Sequence, residues 1–291
     1  MSTGGLRYQY ARLNIAEKII VVNVAIFILD KVFPFLLGLR KNVISNWFEL
    51  PVDFFSFITQ PWSIVTYAFF HADIWHLFFN MLLLYFSARI FLNLFSPRKL
   101  INVFFLGAIA GGLLFLASYN IFPVFLGANT ALIGSSAGVT AVLIFICAYI
   151  PNQEVRVFFF NVKLWYIGAF FVLLDLIQIP TSNSGGRLAH LGGALLGYLY
   201  ARQLAKGHDI GKGFSKLIDG IGALFKPREK KAPMKTVYKK SARASKTNVD
   251  YNKESRQRKI DGILDKISKS GYESLSKAEK DFLFKAGKED S

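Results

Sequence analysis

Six stretches of this chain, roughly 17–38, 74–95, 100–121, 134–150, 162–179 and 187–204, are apolar over about the length a helix needs to cross bilayer hydrocarbon. No other feature limits the fold as strongly. Lipid offers the backbone no water, so each stretch must close its own hydrogen bonds as a helix. Composition agrees: 53% of the 291 residues are hydrophobic, 29 are Phe, and the mean hydropathy is +0.35. The expected fold class is an all-α membrane protein. The fourth and sixth stretches are short and carry Gly, Ser and His, residues that cost free energy in lipid unless they find partners.

Orientation follows from basic residues in the short flanks. Arg7, Arg12 and Lys18 precede or open the first stretch, Arg98 and Lys99 separate the second from the third, and Arg156 and Lys163 the fourth from the fifth. Residues 122–133 carry no charge. Both termini are therefore expected in the cytoplasm of a multi-pass protein of the cell membrane. Arg40, Lys41 and Arg187 run against this rule, the first two in a longer loop that also holds Glu49, Asp53 and Asp73. The first stretch is too long for a signal-peptide core and lacks a small-residue cleavage pattern, so it is expected to be retained. The lone Cys147 reads as a packing residue.

The sequence divides into a cytoplasmic segment 1–16, a membrane domain 17–204, a basic juxtamembrane segment and linker 205–258, and a small helical module 259–291. Residues 202–291 hold 23 Lys and Arg against 12 Asp and Glu, which is +11 of the net +16. A basic tail after a last span is drawn to anionic lipid of the inner leaflet, by about 1 kcal/mol per basic residue. With no aromatic platform or recognition motif beside the charge, no nucleic-acid partner is expected. Ile210, Phe214, Leu217, Ile218, Ile221 and Phe225 recur at helical spacing with Lys212 and Lys216 between them, the pattern of an amphipathic helix lying on that leaflet. Residues 226–258 read as a disordered basic linker. Beyond it Ile260, Ile263, Leu264 and Ile267 form a stripe ending near Ser270-Gly271, and Ser276 with Glu279 resembles a capping box, so a helical hairpin is expected.

Three segments carry residue types with chemistry. Gly134-Ser135-Ser136-Ala137-Gly138 opens the fourth stretch; glycines there allow a tight turn and bring backbone N–H groups to a helix N-terminus, which suits an oxyanion. Helix packing through small residues explains the same motif. In the sixth stretch Gly193 and Gly197 lie on the face of His190, so this helix can press close to a neighbour at the level of the imidazole. A structural bridge through His190 is the other reading. His76 and Asn80, four residues apart, face one way and can both donate into a cavity, as an oxyanion requires, or bond to another helix. His71, His76 and His190 as zinc ligands are disfavoured: five-residue spacing does not align the first two, and there is no HExxH or cysteine set. No metal or cofactor is expected.

Together these segments resemble the rhomboid family of intramembrane serine proteases, over about residues 45–202. His76-x-x-x-Asn80, Gly134-x-Ser136 and Ala189-His190 through Gly193 and Gly197 stand in the family's order. The resemblance implies a six-transmembrane-helix bundle whose water-filled active site opens toward the outer face and acts on transmembrane protein substrates. It makes Ser136 the nucleophile and His190 the base, with His76, Asn80 and the Ser136 N–H in the oxyanion hole. Gly134, Ala137, Gly138, His71, Gly193 and Gly197 would support them, and the Phe-rich loop 41–73 would lie partly in the outer leaflet. Three positions depart from the family's pattern: Ala137 stands where Gly is usual, Thr140 where some relatives have a Tyr stacked on the histidine, and Ser63 where many have Arg after Trp62. None removes a catalytic group, so an active serine endopeptidase is expected. A catalytically silent relative that binds transmembrane segments for trafficking or quality control is the alternative. A transporter is disfavoured, because residues 17–121 and 134–204 show no repeated halves.

Overall fold

The computed structural model describes residues 5–39, 43–157, 159–225 and 248–289. Each apolar stretch is a helix: α1 (Ile15–Leu36), α2 (Ile74–Leu94), α3 (Pro97–Ile121), α4 (Ser136–Tyr149), α5 (Leu164–Gln178) and α6 (Ser184–Ala205). Among the described residues α1, α2 and α3, of 22, 21 and 25 residues, are long and apolar enough to cross a membrane. α4 and α5 are apolar but have 14 and 15 residues. α6 has 22 residues but is the less apolar helix, because glycines, Arg187 and His190 take positions that aliphatic side chains fill elsewhere.

Local chemistry sets the helix ends. At the start of α1, the Asn14 side chain accepts the Glu17 N–H at 3.0 Å while the Glu17 carboxylate accepts the Asn14 N–H at 2.8 Å. α4 begins two residues later than the apolar stretch, because Gly134 has φ +123° and holds the preceding chain in a turn. α6 begins three residues early, where Asn183, itself left-handed, accepts the Gly186 N–H at 3.2 Å.

The core is organised around α4, which packs against α3, α6 and α2. Every residue from Ala137 to Cys147 is buried. Glycines allow this: a methyl group on Gly193 or Gly197 of α6 would collide with the Ala137 or Ala141 carbonyl of α4. On α3, Gly107 and Gly111 leave room for the Ala141 and Ala137 methyls. Close backbone approach of this kind substitutes for a hydrophobic drive that helices in lipid do not have.

The fold is mostly helical as expected, with four short strands among the described residues. β1 (Leu50–Pro51) pairs antiparallel with β2 (Ala131–Leu132), which ties the first loop to the chain leading into α4. β3 (Glu154–Val157) and β4 (Phe160–Lys163) form a hairpin between α4 and α5. Their Val155, Val157, Phe160 and Val162 alternate with polar residues, a strand period inside what reads from composition as a loop running into a helix. The first loop is pinned further by Tyr67 OH donating to the Ala108 carbonyl (2.7 Å), Trp62 Nε1 to Trp47 O (2.8 Å) and Ser45 N–H to buried Asp30 of α1 (3.1 Å). Ser63 is buried, its hydroxyl donating to Gln60 O at 2.6 Å. Cys147 is buried against Gly168 of α5.

After α6 the chain turns back as α7 (Lys212–Phe225). α7 docks on the start of α3, where Asn102 and Ser215 exchange hydrogen bonds of 2.8 and 3.0 Å and Arg98 pairs with Asp219. The chain divides into two compact units, Met1–Lys226 and Pro227–Ser291. In the second, α8 (Asn248–Ser270) begins ten residues before the expected end of the disordered linker, so 248–258 is helical, while 226–247 lies outside the described residues. α8 ends at Gly271, in the left-handed region, and leads to α9 (Lys277–Glu289). At the start of α9 the Glu279 carboxylate accepts the Ser276 N–H at 2.7 Å and the Ser276 hydroxyl accepts the Glu279 N–H at 3.3 Å. The Ser276 N–H, then Lys266 and the Ser276 hydroxyl, which donates to the carboxylate at 2.8 Å, hold the Glu279 carboxyl down at about 2.

Candidate active site

A cavity of about 400 Å³ opens where the N-termini of α2, α4 and α6 converge. Its wall includes Ser136, His190, His76, Asn80, Thr140 and Asp175. Three helices thus direct their positive dipole ends toward one space, which favours negative charge developing there.

Ser136 is the first residue of α4, so its backbone N–H is among the groups with no partner inside the helix. The turn before it is held from behind. Buried His71 places Nε2 3.2 Å from the Ser135 hydroxyl, and Gly134 N–H donates to the Tyr67 carbonyl at 3.0 Å. A side chain at Gly134 would strike the His76 ring, 2.8 Å from where its Cβ would sit. The structure therefore puts His71 behind the turn, with Ser135, rather than on the cavity wall.

Ala137 is the departure with the greatest bearing on this turn. Its methyl is buried and lies against α3, where a Cβ on Gly111 would come within 2.5 Å of it. Gly111 supplies the room that a glycine at 137 would otherwise leave, and the cavity wall is untouched. Gly138 packs on the Phe104 backbone.

His76 and Asn80 stand on the cavity side of α2. Asp73 caps this helix, accepting the Trp75 and His76 N–H groups at 2.8 and 2.9 Å. The His76 bond, seconded by that of Trp75, holds the Asp73 carboxyl below its ordinary 3.8. Asn80 Nδ2 donates one hydrogen to the His76 carbonyl at 2.9 Å, which fixes the amide and leaves its second hydrogen to donate elsewhere. The Ala72 N–H makes a long 3.5 Å contact with His76 Nδ1, which favours the proton on Nε2, the atom beside Gly134.

His190 sits on α6, one turn before Gly193 and two before Gly197 in the seam against α4. Among the described residues no hydrogen bond joins it to Ser136. Its Nδ1 lies 3.0 Å from Asp175 Oδ1 of α5, and Arg187 Nη1, also on α6, lies 2.9 Å from the same oxygen. From the sequence, both charges are visible but neither has a place in the site. The usable signal was a carboxylate in an apolar stretch together with a basic residue on the wrong side of the charge rule, three positions before His190. Arg187, which runs against the expected charge pattern, is partnered inside the protein by Asp175.

A family model described as "Rhomboid domain" matches residues 59–207, and "Family of unknown function (DUF6576)" matches 246–286. The chain is similar to RHOMBOID-like protein 12, mitochondrial, of Arabidopsis thaliana, 26% identical over 201 residues, 65% of this chain and 58% of that protein. It is also similar to Rhomboid-like protease 3 of Toxoplasma gondii, 28% identical over 166 residues, 57% of this chain and 60% of that protein. The chain thus spans rather less than two thirds of either relative.

Proposed function

Since the chain belongs to the rhomboid family, we propose that it is an intramembrane serine endopeptidase that cleaves transmembrane segments of other membrane proteins. The observation that carries this reading is that Ser136, His190, His76 and Asn80, from three helices, line one cavity at converging helix N-termini. Ser136 Oγ attacks the scissile carbonyl and its proton passes to His190. The carbonyl oxygen becomes an oxyanion held by the Ser136 N–H, Asn80 and His76. His190 then protonates the leaving amine, and water releases the acyl group by the same steps. The Ser136–His190 bond forms as substrate enters, since such bonds are often long in unliganded enzymes.

All six core helices cross the cell membrane in this reading, with both termini cytoplasmic and the cavity open to the outer face. At 1.5 Å per residue α4 covers only about 21 Å, but its burial among other helices spares it from matching the lipid. α7 lies on the inner leaflet, with Leu217, Ile218 and Ile221 exposed to acyl chains and Lys212 and Lys216 near anionic headgroups.

The test is covalent labelling of purified protein by a fluorophosphonate probe, with cleavage of a reporter transmembrane substrate. Ser136→Ala and His190→Ala should abolish both while the protein stays folded, and Asn80→Ala should slow cleavage about 10²–10³-fold. Full activity in Ser136→Ala would sink the assignment. A folded wild-type protein that never reacts with the probe would instead mark a silent relative that binds transmembrane segments.

A further inference from the structure

Asp175 is 4% exposed in the last turn of an apolar helix, a costly place for a carboxylate without partners. Arg187 alone would neutralise it. The structure gives it a second partner on the same oxygen, the Nδ1 edge of His190. A carboxylate can only accept, so the bond is satisfied when His190 carries its proton on Nδ1. The lone pair is then on Nε2, at the other edge of the ring. Thr140, which lines the same cavity one turn beyond Ser136, is too small to stack on the ring and hold it in place.

We infer that Asp175 is a positioning residue for His190, so that the reacting unit has three members, Ser136, His190 and Asp175, with Arg187 holding the carboxylate. The inference rests on the protease reading. When the Ser136 Oγ–carbon bond forms, the carbonyl π pair moves to oxygen and the hydroxyl proton moves to His190 Nε2. The imidazolium keeps its Nδ1 proton against the Asp175 carboxylate, which stabilises the new charge without taking the proton. Arg187 leaves the carboxylate ionised and fixed to α6, so Asp175 and the imidazole move as one piece.

The experiment compares fluorophosphonate labelling rates of the full chain in micelles, with thermal unfolding recorded for each variant. Labelling forms the Oγ–P bond, expels fluoride and passes the same proton to His190. Asp175→Asn should slow it about 10²-fold or more, while Arg187→Gln, which leaves the carboxylate on Nδ1, should slow it less than tenfold. Equal losses in the two variants, or a wild-type rate in Asp175→Asn, would reduce Asp175 to a structural ion-pair partner. Should Asp175→Asn fail to fold, or wild type fail to label, ¹⁵N-histidine NMR of the wild-type protein decides the point. Neutral His190 should be protonated at Nδ1; protonation at Nε2 would overturn the inference. Wild type that labels only with Ser136 and His190 intact, beside an unaffected Asp175→Asn, would leave the protease reading standing and remove this one.

Discussion

α4 and α5 are neighbours of nearly equal length and similar apolar composition, yet they are built into the molecule in opposite ways. Eleven of the fourteen residues of α4 are buried. α5 buries Leu164, Gly168 and Asp175 and turns Phe170, Leu173, Leu176 and Ile177 outward. Apolar composition therefore does not say which helix is core. The difference lies in the neighbours: α3 and α6 offer glycines that accept the backbone of α4, whereas α5 meets the bundle along one face, with Leu164, Ile167 and Phe171 on the core, Gly168 against Cys147, and the Asp175 pair. Ser136, at the start of α4, is held by close packing. α5 contributes one buried charge to the cavity wall, Asp175, beside Phe171 and Leu174.

That contrast can be broken by substitution, read as thermal unfolding of detergent-solubilised protein. Phe145→Ala in the centre of α4, where Phe91, Phe95, Tyr149 and Tyr200 surround the ring, should cost about 3–5 kcal/mol. Gly168→Ala, whose new methyl would meet the Cys147 Cβ at 2.9 Å, should cost about 1–3 kcal/mol by wedging α5 away from α4. Leu173→Ala on the outward face of α5 should stay within about 0.5 kcal/mol. A Leu173 effect as large as that of Phe145 would mean that α5 is covered by protein, and the contrast would fall.

Much of the site was legible in the chain because its residues lie within short motifs. His76 and Asn80 share a helical face by spacing alone, and Gly193 and Gly197 follow His190 on one stripe. Ser276 and Glu279 likewise announced their cap from three residues apart. The sequence was less informative where partners are distant. His71 reads as one more polar residue near a span, and its pairing with Ser135, 64 positions on, exists only after α2 and α4 are brought together. Asp175 looks like a stray charge until α5 packs beside α6.

Sequence alone determined the helical blocks, their order, the charge of the tail and the three motifs that mark the family, because lipid punishes unpaired backbone and leaves few ways to arrange apolar runs. Tertiary structure alone decided which helix is core, that the Ala137 methyl is received by Gly111, and that Asp175 meets His190. Those outcomes depend on close approach and charge pairing between segments remote in the chain, and no local period of the sequence records them.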